Sequence, residues 1–421
     1  MIGRTSVNQY QGTKKPIQQI ARELNVDAVV EGTIAQSGDR LRVTANLIQV
    51  YPERHLWAHS YESQFRDVLA LQDEIAESMT AEIQGRVAPP QPGRKEVSHP
   101  VNPEAQLAFW KAEYLANNSK IPEDMRKVTE YSEQAVRLDP NYAPAQAVLA
   151  RSYLWLASVG LEVPKEIMPR ARMAAERAIA LDERLAYGHF ALGSILLIFD
   201  RDWVGAEREA RRAISLNPSD AQGHILLANY LAAEGRTDEA VIEAKRARDL
   251  DPLSFFMNWM LGRLLCLARR YDEALAELRE TEDMQPHASP VQIWMFKSYW
   301  MKGKFDDAIA RDLRLRRDRD GLSTQALNAL QEAYSKNGSS GYFRKLRELL
   351  LPKFRTNPIG WYRLAEINAY LGDKEEAFRW LQKAYDEHTD WIPFLKVDPT
   401  LDPLRSDPRF QGLVRGMGLS S

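Results

Sequence analysis

A single cysteine, Cys266, stands in a chain of 421 residues. That excludes an intramolecular disulfide and any zinc site built on cysteines. No apolar run approaches the length that crosses a bilayer. The opening, MIGRTSVNQYQG, lacks the apolar core of a secretion signal. Neither sign of charge dominates: 56 Lys and Arg meet 58 Asp and Glu, a net −2 that lies within residues 1–88. No global field therefore favours nucleic acid or an anionic membrane. There is no glycine-rich phosphate loop, nucleophile elbow or HExxH. The seven histidines are scattered; His55 and His59 are four apart, but in a stretch that reads as strand, with no third ligand near. Lys14-Lys15 read as a solvated turn. No acid, base, nucleophile or metal set converges. The expectation is a chain that is not an enzyme, carries no cofactor or metal, and has no nucleic-acid partner or membrane segment.

What the sequence has is repetition. Ala206, Ala240, Ala274 and Ala308 follow at intervals of 34, in the phrases DWVGAEREA, RTDEAVIEA, RYDEALAEL and KFDDAIARD. A second ladder runs upstream through Leu227-Ala228, Leu261-Gly262 and Met295-Phe296, and a third closes units at Pro218, Pro252 and Pro286. A fixed period in the thirties marks a stacked array. Within a unit, apolar residues such as Ile225, Leu227, Ala228, Leu231, then Ala240, Ala244, Ala247 and Leu250, recur at helical spacing. Small residues (Ala228 and Gly262 facing Ala240 and Ala274) allow two helices to approach closely. Gly235 and Gly303 suit left-handed turns between the helices, and Pro252 and Pro286 stop the second one. The unit is helix, tight turn, helix, stop. The copy at 289–322 lacks the closing proline, so its second helix is expected to run on or to fray.

These residues resemble the tetratricopeptide repeat (TPR). The unit at 221–254 supplies Leu227, Ala228, Leu231, Ala240, Ala244, Ala247 and Pro252; a late copy supplies Trp361, Leu364, Ala365, Gly372, Ala377, Leu381 and Ala384. The resemblance implies a mainly α fold, a right-handed solenoid of antiparallel helix pairs. It spans 103–390, with a degenerate pair at 323–336 and 341–355 broken at Asn337-Gly338. The tail at 391–421, with its prolines and apolar residues, is expected to cap the last helix.

Residues 1–88 differ in kind. A helix after Pro16, strands at 27–35 and 41–48 joined by a turn at 37–40, a third strand at 55–61 and a helix at 65–87 make a small α/β piece. The stretches GRTSVNQYQGTKKPIQQIARELNVDAVVEGTI, GDRLRVTANLI and HLWAHSYE resemble the second half of the TolB-N/FlgO-like domain of bacterial regulators. In that family another strand and helix come first, which implies an incomplete domain here. Residues 89–102, rich in proline and polar residues, read as a linker.

The TPR resemblance also nominates a site. The position after the Leu-Gly pair faces the concave surface in that family, giving Arg151, Ser194, Asn229, Arg263, Lys297 and Glu366. Neighbouring groove positions give Trp259, Ile293, Tyr362, Cys266 and Trp300. The candidate groove is Arg151, Asn229, Trp259, Arg263, Lys297, Trp300, Tyr362 and Glu366. Arg263 and Lys297 beside Trp259 and Trp300 would suit an acidic or C-terminal peptide segment. The plainer alternative is that their stems pack and their charged heads are solvated. On the groove reading, reversing both cations to Glu is expected to leave folding intact and to weaken capture of a partner. The run from Arg311 to Asp320, with its signs interspersed, reads as a solvated helical face, and Trp57, Trp110, Trp155, Trp203 and Trp294 as packing residues.

Two functions from different classes follow. One is a scaffold that binds a protein or peptide segment in the concave groove, cytoplasmic. The other is implied by the family pairing of TolB-N/FlgO-like and TPR regions. It is the sensory half of a bacterial transcriptional regulator or Ser/Thr kinase whose effector is absent from this chain. Such a protein is periplasmic where its parent is membrane-anchored. Nucleotide cyclases are a further effector in that family.

Overall fold

A computed structural model describes residues 2–64, 71, 74–76, 78–79, 101–118 and 122–419. The helix expected at 65–87 and the linker at 89–102 lie almost entirely outside those residues. Contacts divide the chain into two units, residues 6–103 and residues 1–5 with 104–421.

In the smaller unit, α1 (Ile17–Leu24) starts after Pro16 and buries Ala21 and Leu24. Three strands follow: β1 (Ala28–Ser37), β2 (Arg40–Gln49) and β3 (Arg54–Gln64). They form one antiparallel sheet in the order β1-β2-β3, with Ser37 opposite Arg40 closing a tight hairpin. Gly38 takes φ +62° there, as such a turn requires. Central β2 buries Leu41, Ala45, Leu47 and Ile48; β1 is exposed almost throughout. His59 stacks on Trp57, and no cluster of metal-ligating side chains occurs among the described residues.

The larger unit is a succession of antiparallel helix pairs. They are α2 and α3 (Pro103–Asn118, Pro122–Leu138), α4 and α5 (Ala143–Ser158, Pro164–Leu181), and α6 and α7 (Ala186–Ile195, Trp203–Leu216). The regular repeats continue as α8 and α9 (Ala221–Ala233, Thr237–Leu250), α10 and α11 (Phe255–Leu267, Tyr271–Met284), and α12 and α13 (Ser289–Met301, Phe305–Asp318). The kinked α14 (Thr324–Phe354), α15 (Pro358–Leu371) and α16 (Lys374–Asp386) complete the array. From α3 to α16 each helix packs on the one that follows it, which makes the array an α-solenoid of TPR type.

The alanine ladder explains the seam. Ala206, Ala240, Ala274 and Ala308 are all buried, and a Cβ added at Gly262 would lie 2.6 Å from Leu278 Cγ. At position 262 a side chain larger than hydrogen would press on Leu278 of α11. A quieter ladder orders the entrances to the first helices. Gln146, His189, His224, Asn258 and Trp361 each turn a side-chain nitrogen onto the backbone carbonyl six residues earlier (Pro140, Glu183, Pro218, Pro252, Arg355) at 2.8–3.4 Å. The residue types differ, but each can supply an N–H to a carbonyl at the repeat boundary, where helix ends leave acceptors unsatisfied.

Two expectations are corrected. Without its proline, α13 still stops at Asp318, with Gly321 left-handed at φ +68° beyond it. The Arg311–Asp320 run is not a solvated face throughout: Asp312 and Arg316 are fully buried and paired at 2.6 Å, while Arg317 stays exposed. Arg363 and the Tyr342 hydroxyl also converge on Asp312, at 2.9 and 2.8 Å. Burial alone would raise the Asp312 pKa; the two guanidiniums bring it down to about 2.

Candidate functional site

The first helices of the repeats lay their inner faces along a trough, and the chain's own C-terminal segment lies in it. After α16 the chain turns at His388, which takes φ +54°, and runs through two short 3-10 turns, Ile392–Phe394 and Pro399–Leu404. These pack on α8, α12 and α15. Ile392, Leu395, Leu401 and Leu404 are completely buried. A final helix, α17 (Pro408–Gly416), packs on α16.

At the centre of the contact is a buried ion cluster. Lys297 Nζ lies 2.5 Å from Glu366 and 2.8 Å from Asp398 of the tail. Asp398 also accepts from the Tyr362 hydroxyl at 3.0 Å and the Thr400 hydroxyl at 2.7 Å; Thr400 reaches Glu366 at 3.2 Å. Lys297, Tyr362 and Glu366 are 2–3% exposed, so no solvent moderates these charges. Burial would strip the proton from Lys297, but Asp398 and Glu366 outweigh it and raise its pKa; Lys297 in turn holds Asp398 below the usual carboxylate range against its own burial.

Arg263, 4% exposed, stacks over Phe394 at 3.9 Å and near Trp391 at 5.5 Å, and donates to Asn229 at 2.8 Å. Burial lowers its pKa to about 10, and pushes the carboxyl of nearby Asp390 up to about 7.

The structure thus brings Asn229, Arg263, Lys297, Tyr362 and Glu366 together around residues 391–400. The rings beside the two cations are Trp294, Trp391 and Phe394. Trp259 instead meets Phe256 edge-on, and Trp300 joins Phe296, Phe305, Phe343 and Tyr370 in an aromatic cluster. Arg151 stands apart over the Tyr187 ring, 3.6 Å from Glu113. The cationic heads of Arg263 and Lys297 are not solvated, so reversing them to Glu would crowd like charges into the interior rather than leave folding intact.

Sequence reasoning missed the rim. The turn between the two helices of a pair falls at Arg201, Gly235, Arg269 and Gly303, spaced by 34, and all four are left-handed. Glycine does this freely; an arginine there costs roughly 1–2 kcal/mol. Both arginines reach the C-terminal part of the chain. Arg269 pairs bidentately with Asp402 at 2.7 and 2.8 Å, and Arg201 lies over the Tyr385 ring at 4.1 Å and donates to its carbonyl. Between them Lys396 Nζ donates to the Glu234 carbonyl, beside Gly235. Further along, Trp203 Nε1 donates to Met417 O at 2.6 Å and the His388 ring meets Phe199 O at 2.6 Å. The signal was available: two arginines stand where the ladder asks for glycine.

No family model matches the chain. A curated protein of Rhizobium meliloti (strain 1021), named as a putative adenylate cyclase, is 27% identical over 249 residues, covering 57% of this chain and 35% of its own length. The chain therefore spans about a third of that relative. Among solved structures, a thermophilic TPR protein of Thermus thermophilus is 19% identical, covering 47% of this chain and 99% of its own, with a TM-score of 0.39. PilW, a widely conserved type IV pilus biogenesis factor, is 16% identical, covering 55% of this chain and 100% of its own, with a TM-score of 0.41.

Proposed function

We propose that the array is a non-enzymatic scaffold that takes a protein or peptide segment on its concave face. Arg151, Asn229, Trp259, Arg263, Lys297, Trp300, Tyr362 and Glu366 are the candidate contact residues. One observation carries the reading: the trough already holds a stretch of chain by a carboxylate clamp and apolar pockets, the means by which grooves hold peptides. Arg151, Asn229 and Trp259 remain half-buried, so a partner reaches them first.

Photocrosslinking tests this. A photoreactive residue at position 259 of the full chain should trap a discrete partner, and one at exposed Arg208 on α7 should not. Equal, diffuse labelling from both positions would sink the proposal.

The relative named as a cyclase favours a second reading, in which the array is the regulatory part of a longer signalling protein, since the match covers 35% of that relative. There, changing Trp259 to Ala in the intact parent should alter its output; an unaltered output rules this reading out.

A further inference from the structure

The tail's buried carboxylate and apolar side chains say what the trough selects, and the way the tail is held says that it can leave. Its backbone hydrogen bonds are internal. Ile392 donates to Thr389, Phe394 to Trp391, Leu395 to Ile392, Val397 and Asp398 to Phe394, and Leu401 to Asp398. Among the described residues no backbone–backbone hydrogen bond joins 391–405 to the trough helices. Lifting the segment out breaks no backbone–backbone hydrogen bond with the trough helices and releases the Glu234 carbonyl from Lys396, so the main-chain penalty for opening is small.

What joins the segment to the trough is side chains alone. Asp398 is held by Lys297 and Tyr362, Asp402 by Arg269, and Phe394 lies under Arg263. A buried ion cluster of this kind contributes less to stability than a well-packed apolar contact of the same volume, and its best-attested use is to fix register. Here it fixes which residue of the coiled segment falls against Lys297. The arginines at the left-handed turn positions point the same way. Backbone strain is kept at Arg201 and Arg269, and each reaches the C-terminal part of the chain.

We infer that residues 391–405 occupy the trough as a ligand held in cis, and that a partner segment of the same chemistry exchanges with them. That segment is a peptide able to coil into short 3-10 turns, with a carboxylate three or four residues after an aromatic-aliphatic pair, as Asp398 follows Phe394-Leu395. The inference rests on the scaffold reading and names the partner it selects. Tethering raises the tail to an effective concentration on the order of millimolar. A free segment of equal intrinsic affinity therefore leaves the trough closed until it is abundant or is itself tethered nearby. The site is gated by competition.

The experiment uses the full chain with a protease-cleavable sequence inserted between Glu387 and His388, folded intact and then cut. The probes are fluorescent synthetic peptides of residues 388–421, wild type and with Asp398→Asn. The expected result is that the severed tail stays bound through gel filtration, that the wild-type peptide replaces it, and that the Asp398→Asn peptide does so at least about tenfold less well. No replacement over days, or equal replacement by both peptides, overturns the inference.

Should the cut chain aggregate, hydrogen exchange on the uncut protein decides. Amides at 392–401 should open severalfold more readily than those of α10. Identical rates would make the tail ordinary core and end the proposal. If exchange fails while position 259 still traps a partner, the scaffold reading survives and this one falls.

Discussion

Lys297 shows how much one side chain can carry when water is excluded. Two carboxylates face its ammonium in a fully buried setting, so removing it leaves Asp398 and Glu366 charged and uncompensated. Lys297→Met should cost about 3–5 kcal/mol in urea titration. Adding Asp398→Asn to that variant should cost far less than the change does alone, since the two share one interaction. His189 makes a different point. Its Nδ1 lies 2.6 Å from Glu209 Oε2 and its Nε2 2.9 Å from the Glu183 carbonyl, so both ring nitrogens face acceptors and only the imidazolium donates to both. Burial would lower its pKa, yet the bonds to Glu209 and Glu183 raise it above 6.5. A pKa raised in the folded state gives stability that is complete below about 6.5 and is lost as pH climbs through the folded value. NMR titration should place His189 above an exposed histidine, and His189→Gln should flatten the fall in stability on that side of pH 6.5. Neither role was legible beforehand. Position in the repeat gave Lys297 a groove address, but its partner Asp398 lies 101 residues away, beyond the reach of local pattern.

Helices and turns were far easier to read. The 34-residue ladder of alanines and the glycine turns fixed the helix pairs, because close helix packing admits few residue types at those places. Gly262 is the sharpest test of that seam. A methyl group there meets Leu278 at 2.6 Å, so Gly262→Ala should gain helix propensity yet lose roughly 1–3 kcal/mol to overpacking, with a lower melting temperature as the readout. A variant that melts at or above the wild-type temperature would mean the seam is looser than described. The tail resisted sequence reading for a physical reason. Its prolines and scattered apolar residues have no helical period, so the expectation of a cap on the last helix foresaw α17 on α16 but not the two turns packed on α8, α12 and α15. The Arg311–Asp320 run misled for a related reason, since Asp312 and Arg316 are spaced i, i+4 whether they face water or the core. Spacing cannot see the neutralising Arg363 arriving from α15.

Repeat arrays generally unfold piecemeal, because each unit touches only its neighbours. In this one, Trp203 is bonded to Met417 across 214 residues, His388 to Phe199 across 189, and Arg201 to Tyr385 across 184. Such contacts couple the α6–α7 pair to the C-terminus and make fraying at one end costly at the other. Trp203→Phe keeps an aromatic ring, though a smaller one, and removes the donor. Hydrogen exchange should then quicken both in α7 and in α17, whereas quickening in α7 alone would mean the two ends behave independently.

The same straps bear on how such a protein can change over generations. Open solenoids lengthen or shorten by whole units with little harm, since a copied pair simply adds to the stack. Here a duplicated pair between α8 and α15 would carry Trp203 and Met417 apart and slide every turn arginine off its mark, so the number of units is counted by the fold itself.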